Sequence, residues 1–237
     1  MGPGTKMMGD WIAFWDSQHA IYVNARHLDV HYRRIAEDVA RYLPSRTATV
    51  LDYGCGEALH ADRIAGAAGR LILVDAAPNV RAGLVARFKD RPNIDVRSPE
   101  ALSAMPDRSV DLVVMHSVAQ YLSTAQLSAL LVQFRRLLNP GGLLLLGDVL
   151  RPHVSAMTDV LSLLTFAAGN GFFFAALAGL VRTVLSDYRR LRSELGLTRY
   201  APAAIESRLD AAGFSASRAP TNIGHNWARM TYVARPV

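Results

Sequence analysis

The sequence predicts an α/β fold: a doubly wound, mostly parallel, seven-stranded sheet with an antiparallel C-terminal hairpin and a helical insertion after the fifth strand. Three observations predict it. Short, continuously apolar runs alternate with helical patterns, which is how strands covered on both faces read. A glycine-bearing turn, Gly54-Cys55-Gly56, follows the first such run, and the next run closes on the acidic Asp75. The loop 220–226 between the last two apolar runs is too short for a parallel crossover, so that pair is antiparallel.

Each element has its own signal. Residues 1–20 read as loop but carry Trp11, Phe14, Trp15 and His19. Leu28, Ile35, Val39 and Leu43 recur at helical spacing, predicting a helix over 27–42 that Pro44 ends. Strands follow at 48–53, 70–75, 94–96 and 110–115, with helices at 58–66 and 78–88, the latter having proline at its start. Leu127, Leu130, Leu131, Phe134, Leu137 and Leu138 form one helical stripe, opened by a Ser123/Gln126 capping box and stopped by Asn139-Pro140-Gly141-Gly142. Leu143 to Val149 is the fifth strand. Pro202 to Ala212 is a helix ended by Gly213, and 214–219 and 227–235 are the last two strands.

Length and composition bound the reading. The chain has 237 residues, of which 51% are hydrophobic, so it is long enough for one large domain and too apolar for intrinsic disorder. Its net charge is +6, but the basic residues are scattered, without the dense block of a nucleic-acid arm. A single cysteine, Cys55, excludes a disulfide framework and a cysteine-rich zinc site. With no basic-then-apolar leader at the N-terminus, a reducing, cytoplasmic setting is expected.

The chemistry concentrates in Val50-Leu51-Asp52-Tyr53-Gly54-Cys55-Gly56-Glu57-Ala58. The glycines permit a sharp strand-to-helix turn and close approach of a ligand to the backbone. A carboxylate closing the next strand is placed to accept from both ribose hydroxyls, so a nucleoside-bearing ligand is expected there. The third glycine of the dinucleotide fingerprint is missing, which disfavours NAD or FAD.

The ordered series Val50 to Gly56, Leu73-Val74-Asp75, Asp107 to Val113 and Leu137 to Gly142 resembles the class I S-adenosylmethionine-dependent methyltransferases, whose fold is Rossmann-like. The resemblance covers residues 45–150 in register. It implies S-adenosyl-L-methionine as cofactor, with S-adenosyl-L-homocysteine as product. It also implies one domain over 1–237: an N-terminal cap or lid at 1–45, a cofactor-binding core at 46–150, a helical insertion at 151–200, and a C-terminal helix and hairpin at 201–237. The cofactor contacts it implies are Asp52, Gly54, Cys55 and Gly56 for the methionine part, Asp75 and Ala76 for the ribose, and His116, Ser117 and Tyr22 towards the acceptor. The acidic residue that often contacts the adenine is not at its usual place after strand three. Ser98 and Glu100 occupy that region instead.

Methyl transfer rests mainly on positioning, and a nitrogen or oxygen acceptor also needs a base. His116, just past strand four, is the first candidate, with Tyr22 and His19 in the lid segment beside it. Aromatic faces there also suit a sulfonium by cation–π attraction. His27 and His31, four apart, share a helix face and read as an ordinary polar face. No third ligand accompanies them, so no metal is expected.

Val160 through Val181 carries no charge, and Arg182, Arg189, Arg190 and Arg192 follow. Three readings stay open: two helices forming a lid and acceptor pocket, a peripheral membrane contact through 154–192, or a spanning helix. A homodimer interface is compatible with any of them. The apolar lining favours a small or lipid-like acceptor and no nucleic-acid partner. The alternatives in function are a non-catalytic cofactor-binding or interaction protein of this fold, or a methyltransferase acting on RNA or protein.

Overall fold

In the computed structural model the described residues are 11–17, 22–184 and 196–237. Seven strands form one sheet in the order β3-β2-β1-β4-β5-β7-β6. They are β1 (Thr49–Tyr53), β2 (Arg70–Val74), β3 (Ile94–Arg97), β4 (Val110–His116), β5 (Leu138–Val149), β6 (Phe214–Arg218) and β7 (Met230–Pro236). The first five pair in parallel, and β7 runs antiparallel to both β5 and β6. The order reverses between β1 and β4, so a crevice opens beyond their carboxyl ends, where ligands bind in doubly wound sheets.

The apolar strands are buried because helices cover both faces. On one side α4 (Thr124–Leu137) and α7 (Pro202–Ala211) bury Leu127, Leu131, Phe134, Ile205 and Leu209 against Leu51, Val113 and Leu144. On the other, α1 (Ala25–Ala40), α2 (Ala61–Ala67) and α3 (Pro78–Phe88) pack Val39, Ile64 and Leu84 against Val50, Leu71 and Leu145. The capping box opens α4 as expected: Ser123 and Gln126 each bond the other's backbone N–H.

Four differences from the expected elements have physical causes. Residues 11–15 are helical, with Trp11 buried against Tyr121. Helix α1 starts at Ala25 because Asn24 caps it, its side-chain oxygen accepting from His27 N–H at 2.9 Å. Strand β5 begins at Leu138 and runs through Asn139-Pro140-Gly141-Gly142, with a register irregularity opposite Val110 and Leu112. Asp111 holds that junction, accepting from Asn139 at 2.7 Å and from Thr49 N–H at 2.8 Å. Strand β7 starts at Met230, so Trp227 lies in the preceding loop and is exposed.

The insertion folds as α5 (Ala156–Gly169) and α6 (Phe173–Val184), broken at Asn170 and at Gly171, whose φ is +74°. Among the described residues no helix is long and apolar enough to cross a membrane, which removes the spanning-helix reading. One side of this hairpin packs on α1 through Val30, Ala167, Phe172 and Ala176.

Candidate functional site

A cavity of about 190 Å³ lies at the crevice beyond β1 and β4. Its floor is the turn after β1. Gly54 and Gly56 have φ of +71° and +56°, a region that L-residues rarely adopt. The turn is pinned to β2, since Gly54 and Cys55 N–H both donate to the Val74 carbonyl, at 2.7 and 3.2 Å. A Cβ at Gly54 would lie 2.3 Å from Val118 Cγ2 in the segment after β4, and one at Gly56 would lie 2.5 Å from the Tyr32 hydroxyl. The two strand ends therefore approach as closely as glycine allows.

Asp75 stands across this turn. Its Oδ2 accepts from Gly56 N–H and its Oδ1 from Ala77 N–H, both at 2.9 Å. Burial raises its carboxyl above the usual range, and those backbone donors and the nearby Arg81 guanidinium oppose the rise. Asp52, on the same wall, is pushed up to about 7, first by burial and then by the negative charge of Asp75. The cavity thus confines two carboxyls close enough for each to oppose the other's ionisation. Burial, with the same two carboxylates, also lifts the Cys55 thiol, so it stays protonated and is no nucleophile.

Aromatic side chains roof the cavity. Trp11 and Trp15 pack on Tyr121, at 4.6 and 5.7 Å between ring centroids. Asp16 clamps the roof to the first turn of α3, accepting from Asn79 N–H at 2.6 Å and from its side-chain amide at 3.0 Å. The Tyr22 and Tyr32 hydroxyls are hydrogen-bonded to each other. Tyr32 also accepts from Glu57 N–H at 3.0 Å, which ties α1 to the glycine turn. Burial pushes the Tyr22 phenol up to about 12, so it is a donor at neutral pH.

The far wall is polar. His116 Nε2 donates to the Ile223 carbonyl at 3.1 Å, and its Nδ1 lies 3.1 Å from Ser117 Oγ. Ser117 Oγ donates to Asp148 Oδ2 at 2.7 Å. Ser117 and Asp148 both sit at left-handed φ, +58° and +59°, an uncommon conformation for non-glycine residues and one that concentrates at functional sites. The His116 ring is thus held at Nε2 by a protein carbonyl, with Nδ1 beside the Ser117 hydroxyl.

Of the residues singled out from sequence, Tyr22, Asp52, Gly54, Cys55, Gly56, Asp75, Ala76, His116 and Ser117 all line this one cavity. Ser98 and Glu100 are not among its lining residues: Glu100 is exposed, and its carboxylate is held low by a hydrogen bond from Ser98. His19 lies outside the described residues.

Trp11 and Trp15, read from sequence as part of a lid over the cofactor, line the cavity, whereas His31 and Tyr32, and Tyr121 beside them, were missed as lining residues. His31 has a buried Nδ1 with no hydrogen-bond partner. Burial holds its imidazole well below its ordinary value, with the nearby histidines His225, His116 and His27 acting in the same direction. Its ring is 6.4 Å from that of His116 and 5.7 Å from that of His225. The only signal was the four-residue spacing of His27 and His31, which an ordinary polar helix face also shows. Among the described residues no group of three ligating side chains could hold a metal.

Residues 50–142 match the family described as Methyltransferase domain. A Mycolicibacterium smegmatis protein named "Probable S-adenosylmethionine-dependent methyltransferase" is 36% identical over 122 residues, covering 51% of this chain. The match spans 43% of that relative's length, less than half of it. Among solved structures, a DhpI–SAH complex has a TM-score of 0.62 at 16% identity over 100% of this chain and 98% of its own. Magnesium protoporphyrin IX methyltransferase (ChlM) from Synechocystis PCC 6803, with bound SAH, has a TM-score of 0.61 at 15% identity over 99% and 96%. At these identities the two structures speak for the fold.

Proposed function

We propose, from the premise that this chain belongs to the class I S-adenosylmethionine-dependent methyltransferases, that it transfers a methyl group to a small or lipid-like acceptor. The observation that carries the reading is the pairing of a tight glycine turn, where a Cβ at Gly54 would collide with Val118, with the two buried carboxyls of Asp52 and Asp75. S-adenosylmethionine has the matching chemistry: ribose hydroxyls, an ammonium and a sulfonium. When bound, it supplies a methyl group already activated for in-line displacement.

The chain's own residues would divide the work as follows. Asp75, oriented by Gly56 and Ala77 N–H, takes the ribose hydroxyls, with Ala76 beside it. Gly54, Cys55, Gly56 and Asp52 hold the methionine part, Asp52 as a carboxylate facing the ammonium. Tyr22 donates its phenolic proton, while the aromatic roof excludes water and favours the sulfonium, a contribution of roughly 0.5–2 kcal/mol. His116 fixes the acceptor-side wall through Ser117 and Asp148. His31 takes the acceptor's proton at Nδ1, because it is a neutral imidazole with a lone pair no protein group uses. Positioning supplies most of the acceleration, on the order of 7–11 kcal/mol at best. The apolar and aromatic lining favours an apolar acceptor over a polynucleotide. In this reading 1–45 is the lid, 46–150 the cofactor core, 151–200 the acceptor-side insertion and 201–237 the closing hairpin.

Calorimetric titration with S-adenosylhomocysteine tests the first half of the proposal. Saturable binding that Asp75→Ala weakens is expected. A folded protein that binds none would overturn it. Transfer of radiolabelled methyl from S-adenosylmethionine to organic-soluble or low-molecular-weight extract fractions tests the second half. Label found solely in protein or RNA would replace the acceptor class.

A further inference from the structure

The insertion hairpin has a second face that the cavity does not use. Its inner side packs on α1, and Phe166 and Phe172 stack on His225 and His27 behind the cavity wall. Its outer side exposes Met157, Leu161, Phe173, Phe174, Leu177 and Val181, with Phe174 84% exposed and Met157 and Val181 each 65%. A helix that is apolar all round is ordinarily buried on every side. Here α6 is apolar all round from Phe173 to Val181 and buried on one side. Large exposed apolar patches mark interaction sites.

The charges around this face select the medium. From Val160 through Val181 there is none, and Asp159 is the single acid of the hairpin. Asp159 is turned inwards, bonded to Arg229 at 2.9 Å and to Asn226 at 3.0 Å. Exposed arginines stand at both ends of α5. Arg26 donates to the Asn170 carbonyl at the hairpin turn, and Arg199 donates to the Pro152 and Val154 carbonyls at 2.9 and 3.0 Å near its start. An apolar face rimmed by guanidinium groups complements acyl chains beneath anionic headgroups. Among the described residues no helix is long enough to span, the 14 and 12 described residues of α5 and α6 reaching about 21 and 18 Å against a core of about 30 Å.

We propose that the outer face of the α5–α6 hairpin is a membrane-surface contact, lying in the interfacial plane of an anionic bilayer with the arginines at the headgroup level. The contact is independent of methyl transfer and is tested without any acceptor. The full-length protein is sedimented with vesicles of phosphatidylcholine and phosphatidylglycerol at 3:1, and with phosphatidylcholine alone, at low and high salt. Wild type should pellet with the anionic vesicles, more weakly at high salt because headgroup attraction is screened while apolar burial is not. The double variant F174E/L177E should lose binding by roughly tenfold or more. Phe174→Trp should retain binding and shift its emission to the blue on vesicles. S-adenosylhomocysteine affinity, unchanged in all of them, certifies the fold. Absence of pelleting at low salt overturns the proposal, as does equal pelleting of F174E/L177E. A concentration-dependent dimer in sedimentation velocity, abolished by F174E/L177E, also overturns it and assigns the face to a second copy.

Discussion

The floor and the roof of the cavity are built in opposite ways. The floor is one continuous turn, Gly54-Cys55-Gly56, whose backbone bonds to the end of β2 and where a Cβ at Gly54 would collide with Val118. The roof is assembled from residues far apart in sequence: Trp11 and Trp15, Tyr22 and Tyr32, and Tyr121, backed by the stacked rings of His27, Phe166, Phe172 and His225. The floor is rigid because it is local. The roof holds together by ring stacking, burial and a few side-chain hydrogen bonds, so its stability also depends on the charge state of the histidines packed behind it.

The largest expected effect falls on the roof. Burial lowers His27 and His225 to about 4, and neighbouring histidine charge adds to both. Unfolded histidine titrates near 6.5, so between pH 6.5 and 4 the unfolded chain binds more protons. Stability is therefore full above pH 6.5 and falls as pH drops towards 4, by up to about 3 kcal/mol per histidine. Thermal melting across pH 4–8 measures this, and replacing His27 and His225 with Phe should flatten the acid limb. An unchanged limb would mean that the roof is not held by neutral rings.

Next comes the floor. Gly54→Ala forces an L-residue into a left-handed φ and against Val118, and should destabilise by about 2–4 kcal/mol with loss of cofactor binding. Gly56→Ala meets only the far end of Tyr32 and should cost less. If Gly56→Ala were the worse of the two, the roof would be stiffer than the floor. Asp75→Ala should weaken S-adenosylhomocysteine by roughly 1–3 kcal/mol, because it leaves donors unpaired on both protein and ligand.

Asp52 sharpens the contrast by its sign. Its folded pKa of about 7 lies above the unfolded value, so its carboxylate burdens the empty fold increasingly as pH rises from about 4 through 7. Asp52→Asn should therefore stabilise the empty protein at pH 8, by roughly 0.5–2 kcal/mol. Cofactor binding should strengthen as pH rises through 7 in wild type, with proton release seen by calorimetry in two buffers, and should lose that dependence in the variant.

The same division explains what was legible. The floor could be read because its determinants sit within nine consecutive residues, where spacing alone fixes geometry. The mostly parallel sheet with its antiparallel last pair followed from apolar runs alternating with helices and from the short last connection. The roof could not be read in this way. The His31 and His225 rings pack against each other although 194 positions separate them in the chain, and no local pattern encodes that contact. His116 was found from its place at a strand end, but its commitment to Ser117 and Ile223 depends on a loop more than a hundred residues away. Residues 11–15 read as loop because one helical turn is too short to show a period.

The smallest expected effect tests whether the site is complete as it stands. Ser98 and Glu100 follow β3, the edge strand on the cofactor side, where an adenine contact was expected. Both lie off the cavity lining, and the Glu100 carboxylate is exposed and satisfied by Ser98. A group already bonded in water has little to gain from a ligand, so Glu100→Ala should change S-adenosylhomocysteine affinity by no more than about 0.5 kcal/mol. Calorimetry resolves that difference. A loss of tenfold or more would mean that the segment 98–104 moves onto the adenine when the cofactor binds. The floor would then be only partly preformed, and the contrast between a rigid floor and an assembled roof would hold for the methionine half of the site but fail for the adenine half.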